Sequence, residues 1–356
     1  PILGLSARDL LEITLHAHDD AFLVPAHIWT PWFSLLGSKS GFDSLDECFG
    51  DLTDHIFAVE TGLSSDPAMN RRLSALDHLT LISNSDAHSP GKLGREANLL
   101  DIEPGYLPLL SALRDKQGYL GTLEFYPDEG KYHLDGHRSC GTRMTPGETR
   151  DNGGNCPVCG KPVTVGVLSR VEELADRAPR DIPQTSLRHD AIVPLDEVAA
   201  QVLGASPESA KVKGLLQRLR TILGPELHIL ADAPLEDIEK LAGGAMKEAI
   251  SRVRRGELII QGGYDGEFGT ISIFSPQERS AIAGQTHFLA PPLPAAKERT
   301  VREKRERRTD PANEDIFHAL EAREKKRNRQ RVLTSVVDDP LLGLDEDQRR
   351  AATTVE

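Results

Sequence analysis

Between Ser6 and about Asp101, helical stretches alternate with short apolar runs: Ala21-Phe22-Leu23-Val24, Ile56-Phe57-Ala58-Val59 and Leu79-Thr80-Leu81-Ile82. Each run leads straight into polar residues, namely Pro25-Ala26-His27, Glu60-Thr61-Gly62 and Ser83-Asn84-Ser85-Asp86-Ala87-His88. The pattern predicts α/β architecture with a parallel sheet. In such sheets functional groups gather at the carboxyl ends of the strands, because the loops there share one rim. Ser6-Ala7-Arg8-Asp9-Leu10 reads as a helix opening, and with no Met before it the chain reads as a fragment of a longer protein. A second region, from about Lys131 to Phe274, starts with Cys and His residues and continues through helical segments around Val165 to Arg177 and Leu235 to Arg255. It closes on Glu257-Leu258-Ile259-Ile260, a turn at Gly262-Gly263-Tyr264-Asp265-Gly266, and Thr270-Ile271-Ser272-Ile273, the pattern of a hairpin.

Composition refines this picture. A length of 356 residues predicts two domains plus connecting segments, and a hydrophobic share of 38% predicts that part of the chain stays outside any core. With 42 basic and 55 acidic side chains the net charge is −13, so no global positive field draws the molecule to nucleic acid and any polyanion contact must be local. After Pro291-Pro292-Leu293-Pro294, the run from Lys297 to Arg331 is net basic and reads as a charged linker. No apolar stretch is long enough to span a membrane and the start lacks a signal-peptide plan, which predicts a soluble, cytoplasmic protein. Four Cys are too few for a secreted disulfide scaffold, and three of them cluster, which points to a metal.

That cluster is His137-x-x-Cys140 followed by Cys156-Pro157-Val158-Cys159-Gly160. Two ligand pairs on tight turns can place one imidazole and three thiolates tetrahedrally around a structural Zn²⁺. His133 is a rival first ligand, and a chance grouping of buried thiols is the alternative. Cys48 stands alone as a small buried hydrophobe. At a strand end, Asp86 and His88 alternate in Ser85-Asp86-Ala87-His88, so in extended backbone both would point one way and grip Zn²⁺, Mn²⁺ or Fe. The competing reading is a helix N-cap Asp beside a surface His. His27 joins them only if it shares the rim. His16-Ala17-His18 falls where a helix ends and is read as solvent-exposed.

Pro25-Ala26-His27-Ile28-Trp29-Thr30-Pro31-Trp32-Phe33-Ser34, Ser40-Gly41-Phe42-Asp43-Ser44, Glu60-Thr61-Gly62-Leu63-Ser64-Ser65-Asp66-Pro67, Ser83-Asn84-Ser85-Asp86-Ala87-His88-Ser89-Pro90, the Cys/His cluster and Gly263-Tyr264-Asp265-Gly266 together resemble endonuclease Q. That family belongs to the polymerase-and-histidinol-phosphatase (PHP) metal-dependent phosphoesterases. The resemblance covers about Pro1 to Phe274. It implies an α/β fold: a partial PHP-type distorted β/α barrel over 1–130, then a small zinc-binding module and a helical DNA-binding region over 131–275. It also implies a metal-dependent DNA repair endonuclease that cuts 5′ to deaminated bases or abasic sites. Carried over by motif, His27, Asp86 and His88 would hold catalytic Zn²⁺, Mn²⁺ or Mg²⁺, with Asp86 and His88 catalytic, and Glu60 and Asn84 would line the pocket for the lesion. The superfamily's opening His-x-His motif, with the ligands that follow it, should lie on first strands ahead of His27, for which this chain has no room, and this reads as loss of the upstream half of the barrel.

Leu341-Leu342-Gly343-Leu344-Asp345-Glu346-Asp347-Gln348-Arg349-Arg350-Ala351 resembles the adenine-reading Q motif of superfamily 1 DNA helicases, with Gln348 on the adenine edge of ATP. An acidic helix start capped by Asp345 is the alternative. The resemblance implies a charged linker over 276–337, the start of a helicase-like domain over 338–356, and a covalently linked helicase as partner beside damaged DNA. Candidate DNA contacts are Arg95, Arg143, Arg252, Arg254 and Arg255, with solvated surface the preferred reading of each. The competing function is a zinc-stabilised helicase accessory that binds DNA without catalysis of its own.

Overall fold

A computed structural model describes residues 4–39 and 41–286, with backbone only from 283 onward; the start of the expected linker is a helix, Pro276–Thr286, while its remainder, the helicase-like segment and Gln348 lie outside the described residues. The first helix runs from Ala7 to Ala17, and the Ser6 hydroxyl caps it by accepting the Asp9 N–H. His16 and His18 sit at its exposed C-terminal end, as their position near that dipole suggests.

The parallel pair is present as β1 (Ala58–Glu60) and β2 (Thr80–Ile82), in the register Ala58–Thr80, Val59–Leu81 and Glu60–Ile82. Both strands are buried throughout. The third expected strand, Ala21–Val24, has no ladder. Pro25 follows it and lacks an N–H, so the segment joins β1 only beyond its end: Glu60 donates to the Pro25 carbonyl and Ile28 donates to that of Glu60. Phe22 and Val24 still pack on a small apolar cluster with Ile82, Leu113 and Tyr119.

Next come β3 (Ala97–Leu100) and β4 (Tyr119–Phe125), which are antiparallel, followed by a short hairpin of β5 (Asp135–His137) and β6 (Thr142–Met144). Further along, β7 (Arg188–Ile192) returns to lie parallel to β4, so the second region completes a sheet begun in the first. The fold is therefore mixed α/β.

Two cores hold it. One, around Trp29, Phe49, Leu76 and Leu79, also takes in Val167 and Val171 from the helix Val167–Leu174. The other gathers Leu123 and Ile192 from the sheet with Leu195, Leu219, Ile229, Met246 and Phe274 from the helical region. The segment expected as one helix over 235–255 is two, Leu235–Ala242 and Gly244–Arg255, because Gly243 adopts φ +86° between them. The terminal hairpin pairs β8 (Ile259–Gln261) with β9 (Thr270–Ser272), across a connection longer than a tight turn. Among the described residues no helix is long and apolar enough to cross a membrane.

Candidate metal centres

The β5–β6 hairpin carries His137 at the end of its first strand and Cys140 in the turn, which Gly141 closes at φ +63°. The second ligand pair lies on a turn closed by Gly160 N–H donating to the Cys156 carbonyl and Cys156 N–H donating to that of Lys161. As a result one ligand atom from each of His137, Cys140, Cys156 and Cys159 lies within 4.8 Å of all the others. His133 is elsewhere, buried with Nε2 3.5 Å from Asp128 Oδ1.

Thiols this close cannot all ionise without a cation between them. A hydrogen bond with Cys159 pushes Cys140 up to about 11, while the Thr142 hydroxyl helps to draw Cys156 down to about 6. Around them, the module's own core consists of Met144, Cys156 and Val163 with part of Cys140. So small a core cannot offset the entropy of ordering its loops, and three sulfurs with one nitrogen are the donor set that tetrahedral Zn²⁺ takes.

The loop between β8 and β9 braces this module. Asp265 accepts the Arg138 N–H and the Thr164 hydroxyl, each at 2.6 Å. The Tyr264 ring lies against Gly136, where a Cβ would come within 2.3 Å of it, and carries the Arg143 guanidinium 5.0 Å from its centroid.

A second group of residues lies at the carboxyl ends of β1 and β2. Glu60, 8% exposed, accepts the His27 N–H on Oε2 and the Asn84 side-chain N–H on Oε1, both at 2.8 Å. It thereby clamps the segment bearing His27 to the one leading to Asp86. Asn98 extends the clamp, donating to Asn84 Oδ1 and the Ser83 carbonyl and accepting the Ser83 N–H. His27 Nδ1 is buried with no hydrogen-bond partner. Gly62 makes room for this residue, since a Cβ there would lie 2.6 Å from that of His27.

His27 and Asp86 are both in left-handed backbone, at φ +34° and +46°. Only three other described non-glycine residues have positive φ: Phe33, Lys116 at a helix end and Asp265 in its turn. Such conformations cost energy and persist where their surroundings enforce them, often at functional sites.

The turn at Asp86 corrects the expectation of extended backbone. It brings His88 Nδ1 to the Asp86 carbonyl, 2.8 Å away, and leaves both side chains exposed. Arg95 braces this turn by donating to the Ser85 carbonyl. Among the described residues the Cys/His cluster is the sole group of three or more His, Cys, Asp and Glu side chains within ligating reach, and His27, Asp86 and His88 are not gathered into another.

All five candidate DNA arginines have partners within the fold, Arg95 on the Ser85 carbonyl and Arg143 over the Tyr264 ring. Arg252 pairs with Glu248 and Glu278, Arg254 donates to the carbonyls of Ile229, Leu230 and Ala233, and Arg255 pairs with Glu257.

Pattern reading missed the buried carboxylates below the rim. Glu124 is fully buried on β4, and neither of its carboxylate oxygens has a hydrogen-bond partner. Glu96, 3% exposed, accepts the Phe125 N–H on one oxygen and leaves the other unpaired. Burial raises Glu124 well above the carboxylate range and Glu96 to about 7. For Glu124 the available signal was a charged residue inside the mostly apolar run Tyr119–Phe125.

Comparison with known proteins adds three observations. Residues 194–257 match the family model of the MJ0043 C-terminal domain. Over 289 residues the chain is 32% identical to the uncharacterized protein MJ0043 of Methanocaldococcus jannaschii, covering 78% of this chain and 36% of that protein. Over 252 residues it is 33% identical to the uncharacterized protein YqxK of Bacillus subtilis, covering 70% and 60% respectively, so it spans only part of either relative.

Among solved structures, the lesion-specific endonuclease PfuEndoQ from Pyrococcus furiosus superposes with a TM-score of 0.68 and 31% identity, over 78% of this chain and 69% of that one. Endonuclease Q in complex with a 27-mer duplex substrate, with an abasic lesion at the active site, gives 0.66 and 33%, over 77% and 68%. The PHP-type α/β fold is common to all three.

Proposed function

This chain belongs to the endonuclease Q family, and we propose on that premise that the full-length protein is a metal-dependent DNA repair endonuclease, cutting 5′ to deaminated bases or abasic sites. The observation that carries the reading is the rim itself: two potential ligands, His27 and Asp86, lie on left-handed backbone in segments that one buried carboxylate, Glu60, ties together. Structural reasons alone rarely maintain two such residues at adjoining strand ends.

In this reading His27, Asp86 and His88 would contribute ligands to Zn²⁺, Mn²⁺ or Mg²⁺, His27 through its unpaired Nδ1. Such ions lower the pKa of a bound water and screen charge on the phosphodiester oxygens. Glu60 holds the His27 backbone in register with Asn84, which is exposed and able to meet the Watson–Crick edge of an extruded base. Lesions suit such a site because damaged or mispaired bases cost least to lift from the stack. The Cys/His cluster, with Zn²⁺ bound, would keep the second region in shape, and its cysteines, which form no disulfide, suit a reducing compartment. Residues 131–275 form the zinc-binding and helical DNA-binding part beside the barrel part at 1–130. The Gln348 segment is read as the start of a linked helicase module, on its residue pattern alone.

A strand-scission assay with duplexes carrying uracil, hypoxanthine, an abasic site or no lesion, in Mg²⁺ or Mn²⁺, tests the reading. The expected result is a nick on the 5′ side of each lesion and none in undamaged DNA. Tight binding without any nick would instead establish the DNA-binding accessory.

A further inference from the structure

We propose that Phe33 is the wedge that enters the duplex as the lesion leaves it, an inference that rests on the endonuclease reading above. Phe33 is 58% exposed and sits at φ +57°, a conformation that a bulky side chain rarely adopts. Its described neighbours are packed and hydrogen-bonded. Ile28, Trp29, Leu35 and Leu36 on either side are buried, the Leu36 N–H donates to the Ile28 carbonyl, and the Trp29 indole N–H donates to Asn70. Gly37 packs so tightly that a Cβ there would lie 2.2 Å from the Thr30 carbonyl oxygen. The neighbouring Trp32 ring meets Tyr132 edge-on, with centroids 5.4 Å apart. The turn thus buries its flanks, half-buries Trp32 and leaves Phe33 exposed.

Its position gives that ring a use. The base of the turn is fixed to the rim, because the Ile28 N–H donates to the Glu60 carbonyl and the His27 N–H to the Glu60 carboxylate. Phe33 is therefore carried on the same rigid element as His27, six positions along the chain. An extruded base leaves a gap flanked by two unstacked neighbours, and apolar side chains such as Phe or Leu fill such gaps. A flat ring held in advance by the turn restores stacking without ordering a mobile side chain.

The test compares the full-length wild type with Phe33→Gly and Phe33→Leu. Glycine removes the ring and is at ease at positive φ, so Phe33→Gly keeps the fold, as an unchanged Tm will report. Two substrates are used: uracil paired in a duplex beside a 2-aminopurine, and uracil already extruded in a single-nucleotide bulge. The expected result is a loss of about tenfold in kcat/KM for Phe33→Gly on the paired lesion, little change on the bulge, and recovery in Phe33→Leu. The 2-aminopurine signal that reports unstacking on binding weakens in parallel. Equal losses on both substrates, or no loss on either, overturn the proposal. Should the wild type nick neither, the endonuclease reading fails separately. The binding signal then still decides: a wild-type rise that Phe33→Gly lacks supports the wedge, and any other result refutes it.

Discussion

Substituting Glu96 by Gln should flatten the fall of stability with rising pH. The Glu96 side chain is 3% exposed, and burial raises its pKa from the ordinary 4.5 to about 7, against the opposing hydrogen bond from the Phe125 N–H. The folded chain therefore keeps a proton that the unfolded chain releases. Stability is greatest below the unfolded pKa and is lost as pH climbs from 4.5 to about 7, by roughly 3 kcal/mol in all. Glutamine is neutral throughout and its carbonyl can still accept the Phe125 N–H, so the variant should match the wild type in acid and exceed it by about that amount near pH 8. Glu124 and Glu129 are also raised by burial and remain in both proteins; the Glu96 charge adds to the rise of Glu124, so the difference between the two curves reports Glu96 together with that coupling. Urea unfolding at intervals across this range measures it. Parallel curves, or a variant weaker at every pH, would refute the reasoning.

Three further outcomes follow from close packing, from the thiol cluster and from the loop that braces it. Gly62→Ala places a Cβ 2.6 Å from that of His27 at φ +61°, so it should cost at least about 1 kcal/mol and, by displacing His27, lower nicking by about a hundredfold. Denaturation and single-turnover cleavage check the two parts. Mercurial titration of the thiols should release one Zn²⁺ per cluster and lower the protease resistance of the 135–165 segment, and Asp265→Ala should weaken the same segment while leaving the zinc count unchanged.

Much of this arrangement was legible in the residues. The buried runs ending at Glu60 and Ile82 announced a parallel pair, because a strand covered on both faces is apolar throughout. The spacing of His137, Cys140, Cys156 and Cys159 announced a cluster, because two tight turns are enough to converge four ligands. What stayed hidden depends on tertiary context. Nothing in Ser85-Asp86-Ala87-His88 declares that Asp86 will be left-handed, and the turn that results undid the expectation of two side chains pointing one way. Ala21–Val24 has strand composition, yet a ladder requires a partner, and Pro25 confines the contact with β1 to one end. The arginines 252, 254 and 255 look like a basic patch until the acids and helix-end carbonyls facing them are known. Glu96 and Glu124 read as ordinary charges because burial belongs to the fold and not to the residue.

The central claim is that His27 and Asp86, brought to one rim by Glu60, hold the ions that cut the strand. The most direct measurement strips the full-length protein of metal and follows nicking of a uracil duplex as Mn²⁺ is restored, in the wild type and in Asp86→Ala. The account predicts no cleavage without metal, recovery in the wild type, and none in the variant even though it still binds DNA. Cleavage by the stripped protein, or equal recovery in both, would contradict it.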